Sequence, residues 1–261
     1  MINTQRLTAN WVAYTTLTRR EIKRFARIWV QTLIPPAITT SLYFLIFGKL
    51  IGQRIGAVEG VSYSEFIAPG LIMMAVLTNA YSNVSSSFFS TKFHKNIEEQ
   101  LVSPMPDALI ILGYVTGGVL RGLTVGIIVG LVAMLFTRIH LQHIFATVLV
   151  AVLTAVVFSF AGFLNGLYAK SFDDVSIIPT FVLGPLTYLG GIFYSVSMLS
   201  PGWQTLAQFN PLLYVINGFR YGMLGFSDVS FAFTVFVLFI LVFVMYYASL
   251  YLMKHASGVR S

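Results

Sequence analysis

Apolar residues fall in six runs, each near the ~20 residues a helix needs to cross a bilayer core. They are Val30 to Ile51, Ser64 to Ser90, Leu109 to Phe136, Ile144 to Ala169, Val175 to Val196 and Phe231 to Met253. The pattern predicts an all-α integral membrane protein with six transmembrane helices. The third run is interrupted only by Arg121. Between the fifth and sixth runs, residues 197–230 are too broken for a regular span. Ser200-Pro201-Gly202 and Asn210-Pro211 are turn signals there. Trp203 to Phe209 and Leu212 to Met223 remain rich in Leu, Phe and Tyr. Two short helices dipping back from the outer surface fit this composition, because irregular backbone at membrane depth is tolerated only under cover of protein or water.

Residues 1–29 read differently. Leu7, Trp11, Tyr14, Thr18, Ile22, Phe25 and Trp29 recur at three- and four-residue intervals, which at 100° per residue places them within about 80° of one another. Arg6, Arg19, Arg20, Lys23, Arg24 and Arg27 fall opposite. The pattern predicts an amphipathic helix in the membrane interface, apolar face among acyl chains and cations on anionic headgroups. Residues 1–29 thus form a connecting helix and residues 30–261 the six-helix membrane domain. Anchoring and the relay of motion from a partner are both open roles for the helix.

A second short amphipathic helix is predicted in the segment Thr91 to Ala108. Phe93, Ile97 and Leu101 recur every four residues among Lys92, His94, Lys95, Glu98, Glu99 and Gln100. Ser103-Pro104-Met105-Pro106 ends it. A ridge of three apolar residues on a charged helix suits either a protein groove or the headgroup surface.

Charge sets the orientation. Eleven Lys and Arg lie in the segments holding both termini, Thr91–Ala108 and Lys170–Asp174, against four in the opposite set, Lys49, Arg54, Arg138 and Arg220. Basic loops stay cytoplasmic, so both termini are expected inside. The net charge of +7 therefore reflects topology, and no nucleic-acid partner is expected because no basic stripe carries interleaved stacking aromatics. Composition agrees: the chain is 57% hydrophobic and 10% charged, against ~25% charged in soluble domains.

Candidate chemistry is sparse. There is no cysteine, which removes disulfides, thiolate metal sites and cysteine nucleophiles. His140 and His143 invite a metal reading, but no acidic or cysteine neighbour stands near them in sequence. No catalytic, cofactor-binding or metal-ligating residue is assigned. No cleavable signal peptide is expected, since the first apolar run starts near Val30 behind a basic helix. No phosphate-binding loop of the form Gly-x-x-x-x-Gly-Lys-Ser/Thr occurs, so the chain is expected not to be an enzyme. None of the nine acidic residues sits near a predicted span centre, which argues against a proton-driven carrier. Arg121, near mid-span, should face the bundle or water, as a substrate contact or as a partner of backbone carbonyls. Gly118, Gly122, Gly126 and Gly130 form a small-residue stripe for close helix packing, within the subunit or at a dimer seam.

Three segments carry a family resemblance. Ile97-Glu98-Glu99-Gln100-Leu101-Val102-Ser103-Pro104, followed by Ile111-Leu112-Gly113-Tyr114, resembles the coupling-loop signature of ABC-2 type permeases. Asn210-Pro211-Leu212-Leu213-Tyr214 with Arg220, and Gly190-Gly191-Ile192-Phe193 before Pro201, resemble two more of its motifs. They occur in the family's order, and the six-span plan covers essentially the whole chain. Asn96-Ile97-Glu98 departs from the commoner pattern, where Gly or Thr is frequent.

The resemblance implies the permease subunit of an ABC-2 exporter in the bacterial inner membrane. A separate cytoplasmic ATPase would hold ATP and Mg and dock at Phe93, Ile97, Glu98, Glu99 and Leu101. Two permeases and two ATPases would form the transporter, and the cargo would be amphipathic, lipid-like or polymeric. It further implies re-entrant helices forming an outer gate around Asn210, Pro211, Tyr214 and Arg220. A nucleotide-independent carrier or channel, or a membrane anchor that recruits a cytoplasmic protein, are the competing readings.

Overall fold

The computed structural model describes residues 4–255. Arg260, counted above among the basic residues, lies outside them. Helix α1 (Thr4–Arg27) gives way at Ile28 to α2 (Trp29–Tyr43), which widens into π-helical turns over Phe44–Ile51 and closes with α3 (Gly52–Ile55). Strands β1 (Ala57–Val58) and β2 (Val61–Ser62) pair antiparallel, Ala57 opposite Ser62. Glu59 and Gly60 both take positive φ at the turn, 52° and 81°, as tight hairpins require. Ser62 then caps α4 (Tyr63–Phe93): its side chain accepts from Glu65 N–H, and the Glu65 carboxylate accepts from Ser62 N–H. Then come α5 (Asn96–Val102), α6 (Asp107–Ala133), α7 (Ile144–Tyr168), α8 (Phe172–Ile178), π-helical turns at Pro179–Leu183, α9 (Gly184–Tyr188), α10 (Pro201–Gln208), α11 (Pro211–Leu224) and α12 (Phe231–His255).

Among the described residues five helices are long and apolar enough to cross a membrane: Trp29–Ile55, Tyr63–Phe93, Asp107–Ala133, Ile144–Tyr168 and Phe231–His255. They coincide with five of the six predicted runs. The sixth expectation, a span over Val175 to Val196, meets a shorter helical stretch. The α8 helix, the π turns and α9 follow one another without a gap and end at Tyr188, and turns follow. Pro179 opens the π turns and Pro185 lies in the first turn of α9, where each removes a ladder donor and crowds the preceding turn. Ser200-Pro201-Gly202, expected as a turn, instead opens α10, with Pro201 in its first turn where a missing N–H costs nothing.

Helix α4 is the axis of the bundle and packs most extensively on α7 and α6. Small residues make this approach possible. A Cβ at Gly122 would lie 2.9 Å from Val76 O and 2.9 Å from Ala80 Cβ, and one at Gly166 2.9 Å from Ser85 O. A Cβ at Gly118 would lie 3.0 Å from Ala80 O, one at Gly126 would crowd the Val76 side chain, and one at Gly130 would stand 3.9 Å from Ile72. Of the two readings of this stripe, the structure places it against α4 of the same chain.

Candidate functional site

The end of the bundle that carries α1 and α5 holds the densest polar network. Tyr114 of α6, fully buried, is its hub. Its hydroxyl accepts from Arg20 Nη2 of α1 at 2.8 Å, donates to Thr91 Oγ1 of α4 at 3.1 Å, and lies 3.3 Å from the Gln100 amide of α5. One phenol thus joins four helices. Tyr14 adds a second tie from α1 to α6, 2.9 Å from Thr116 Oγ1. Gly113 and Gly117 let α1 lie close: a Cβ on Gly113 would stand 2.5 Å from Leu17, and one on Gly117 2.6 Å from Glu21 Cβ.

This packing corrects the expected orientation of α1. Leu17 and Glu21 form its buried face, about a quarter turn from the predicted apolar stripe, judged from the helical period. Trp11, Leu7 and Trp29 are exposed, as a lipid-facing set should be. Arg19, Lys23 and Arg27 are exposed on the far side, whereas Arg20 and Arg24 turn inward. Arg24 Nη2 donates to Asn83 O at 2.9 Å and to Asn83 Oδ1 at 2.7 Å, and its Nε donates to Glu21 Oε2 at 3.3 Å. Arg20 is 3.5 Å from Glu21 Oε1. Burying Glu21 is tolerable because the half-buried Arg24 matches its charge.

Asn83 extends the network to mid-membrane. Its Oδ1 also accepts from Arg121 Nη1 at 3.4 Å, and Arg121 Nη2 donates to Asn79 Oδ1 at 3.4 Å. Arg121 therefore faces two α4 amides, a pair spaced four apart on one helical face. Tyr114, Glu21, Asn79 and Asn83 were absent from the sequence-derived site. The legible signal was the pair of i, i+4 repeats, Arg20/Arg24 and Asn79/Asn83.

The α5 segment differs from the expected docking ridge. Lys95 takes a left-handed conformation, φ 59°, so Phe93 ends α4 and does not share a helix with Ile97. Ile97 is 2% exposed, packed in the core with Ile110, Ile111 and Tyr114, and Leu101 rests against the same cluster. Ile97 thus packs inside this chain's own fold, where a docking ridge would expose it, while Leu101 is half-buried against it. Phe93, Glu98, Glu99 and Val102 do point outward, Val102 at 86% exposure.

Nearby, Lys92 Nζ donates to Leu167 O and Ala169 O, both at 2.6 Å, and so covers the last carbonyls of α7. Ser171 and Asp174 form a capping box that opens α8. Backbone N–H of Lys170, then the Ser171 hydroxyl, hold the Asp174 carboxyl below its ordinary value.

At the opposite end, Asn210 caps α11 by accepting from Leu212 N–H at 3.0 Å and donates to Leu186 O at 2.7 Å. Pro211 opens the helix, and the Tyr214 hydroxyl donates to Gln208 O at 2.7 Å. Arg220 is fully buried. It donates to Gly191 O at 2.6 Å, stands 4.0 Å above the Phe66 ring, and lies 3.8 Å from Asp228 Oδ2. Gly191 takes φ +81°, which turns its carbonyl into the bundle. Asp228 also accepts from Ser195 Oγ and Val196 N–H. These contacts tie α11 to α4, α9 and α10 and to the segments around Gly191 and Asp228. Near this end His140 Nε2 lies 3.7 Å from Glu65 Oε1, an acidic neighbour that sequence distance had hidden. Among the described residues no cluster of three metal-ligating side chains occurs.

Residues 12–224 match the family model described as ABC-2 type transporter. The chain is 55% identical over 251 residues to the "Inner membrane transport permease YadH" of Escherichia coli K12, covering 96% of this chain and 98% of that protein. It is 24% identical to "Nodulation protein J" of Rhizobium leguminosarum bv. viciae, over 83% of each chain.

Proposed function

The chain belongs to the ABC-2 type transporter family, and from that premise we propose that it is the membrane-spanning permease subunit of an ATP-dependent exporter in the bacterial inner membrane. The observation that carries this reading is the chain-long identity with a named transport permease. A separate cytoplasmic ATPase, holding ATP and Mg, powers it from the α5 side. Two permeases and two ATPases make the working unit. Both termini are cytoplasmic, in line with the 11-to-4 bias in Lys and Arg. The α8–α9 element completes a sixth crossing, and α10 and α11 re-enter from the outer surface as a gate tied by Asn210 and Arg220. Cargo is amphipathic, lipid-like or polymeric and moves outward.

Force enters through the outward face of α5. Glu98, Glu99 and Val102, with Phe93 beside them, meet the ATPase, while Ile97 and Leu101 pass displacement to the Tyr114 hub. From Tyr114 it reaches α1 through Arg20, α4 through Thr91, and the span containing Arg121.

The test is reconstitution in liposomes with a candidate soluble ABC ATPase from the same organism. ATP hydrolysis should rise when permease and ATPase are combined, and a fluorescent phospholipid analogue should change leaflet only with ATP. Movement that persists without ATPase or nucleotide would favour the carrier or channel reading. Association that leaves hydrolysis and lipid movement unchanged would favour the anchor reading.

A further inference from the structure

Between α1 and the α5-side end of α4 lies a polar groove of about 780 Å³, within the ~300–1,000 Å³ typical of small-molecule sites. Its α1 wall carries five basic side chains between residues 19 and 27 and one carboxylate, Glu21. That carboxylate is already engaged, 3.5 Å from Arg20 and 3.3 Å from Arg24, so the wall keeps a strong positive excess. The α4 wall supplies Ser87, Ser90 and Thr91. Among the described residues the Thr91 hydroxyl is bonded to Ser87 O and Tyr114, while no hydrogen bond uses the Ser87 or Ser90 hydroxyl. Guanidinium forks on one side and free hydroxyls on the other are what a phosphate oxygen cluster requires.

The depth of the groove is marked independently. Trp11 and Trp29 of the same helix region are 66% and 57% exposed, and exposed tryptophans settle at headgroup level. The groove opens between them along α1. We propose that it is a discrete binding site for a phosphate-bearing lipid headgroup of the adjoining leaflet. Arg20, Lys23 and Arg27 face the phosphate and Ser90 donates to it, while the acyl chains leave past Ile28 at the end of the groove. The site differs from diffuse attraction of a basic helix to anionic lipid in two respects: it has a second wall on α4, and it depends on position along α1.

The test uses the full chain in phosphatidylcholine nanodiscs, titrated calorimetrically with short-chain phosphatidic acid, short-chain phosphatidylcholine and inorganic phosphate. Saturable binding of phosphatidic acid near one per chain is expected, with no comparable binding of the other two. The double variant Lys23→Gln, Arg27→Gln removes two exposed cations that tie no helices together. It should weaken phosphatidic acid binding roughly 25-fold at low salt, since each cation near a lipid surface contributes about fivefold. Ser90→Ala should weaken it further. Arg6→Gln removes one cation from the same helix outside this groove, and should leave binding unchanged. A loss with Arg6→Gln as large as half that of the double variant would reduce the site to diffuse electrostatics and overturn the proposal. Inorganic phosphate binding as tightly as phosphatidic acid would overturn the lipid source. An unchanged thermal midpoint for the double variant shows that folding is not the cause of its loss.

Discussion

Helices α4 and α12 are both long and apolar enough to cross a membrane, yet they stand in opposite surroundings. The most apolar stretch of α4 has mean hydropathy 1.2 and is 83% buried inside the protein; that of α12 has mean hydropathy 2.5 and is 11% buried. In water the ranking would be reversed. In lipid, apolar surface gains nothing by leaving the solvent, so burial goes to the helix with polar groups to satisfy and small neighbours to accept it. Asn79, Asn83, Ser85 and Ser87 are all buried on α4, whereas Phe236, Phe239 and Phe243 of α12 are exposed. Packing and hydrogen bonding hold the centre, and lipid holds the rim.

The comparison is broken first by filling the seam. Gly122→Leu should abolish the folded, monodisperse protein on size exclusion, because its side chain meets the backbone of α4 with no room to yield. Phe243→Leu on α12 should elute as wild type. The next largest effect concerns charge. Arg24→Leu leaves Glu21 buried without its best partner, and breaking such a pair costs about 3–5 kcal/mol. A large drop in the thermal midpoint is expected, partly restored in Arg24→Leu with Glu21→Gln. Equal midpoints for the single and double variants would show that the pair is uncoupled.

Third comes α5. Ile97→Ala should destabilise by about 2–5 kcal/mol, as core truncations do, while Val102→Ala should leave the unfolding midpoint within error. Equal, small shifts would return Ile97 to the surface. The smallest expected effect is Asp174→Asn. The carboxyl is held below its ordinary value in the fold, so its contribution is present at neutral pH and is lost as pH falls through the ordinary carboxylate range. Wild type and variant should therefore differ slightly at pH 7 and converge under acid.

Much of this architecture was legible in the pattern of apolar runs, because the length a bilayer demands leaves little freedom. Five spans, the short helix after the second and the two helices around Asn210 follow from it. The hidden parts are those in which polar groups satisfy one another. The sequence pattern placed Arg24 on the headgroup-facing side of α1 and assigned no role to Glu21, since a charge alone would be costly to bury. Their mutual pairing, and the groove left by Gly113 and Gly117, turned α1 by a quarter turn. Ile97 looked like a free ridge because periodicity cannot tell a face packed on its own chain from one awaiting a partner. Arg220 and Asp228, eight residues apart, were visible as charges, but their burial depends on Gly191 and Phe66 arriving from distant segments. Hydropathy alone did not show that the helix of the fifth run stops at Tyr188.

A separate ATPase that engages the outward face of α5, as proposed, should shield that face from solvent. The chain has no native cysteine, so single substitutions report cleanly. Glu99→Cys, Val102→Cys and Ile97→Cys are to be labelled with a membrane-impermeant maleimide in inside-out vesicles, with and without the partner ATPase. Glu99→Cys and Val102→Cys should label readily alone and be protected when the ATPase is added, while Ile97→Cys should label poorly in both conditions. Undiminished labelling at both outward positions with the ATPase bound would contradict the account.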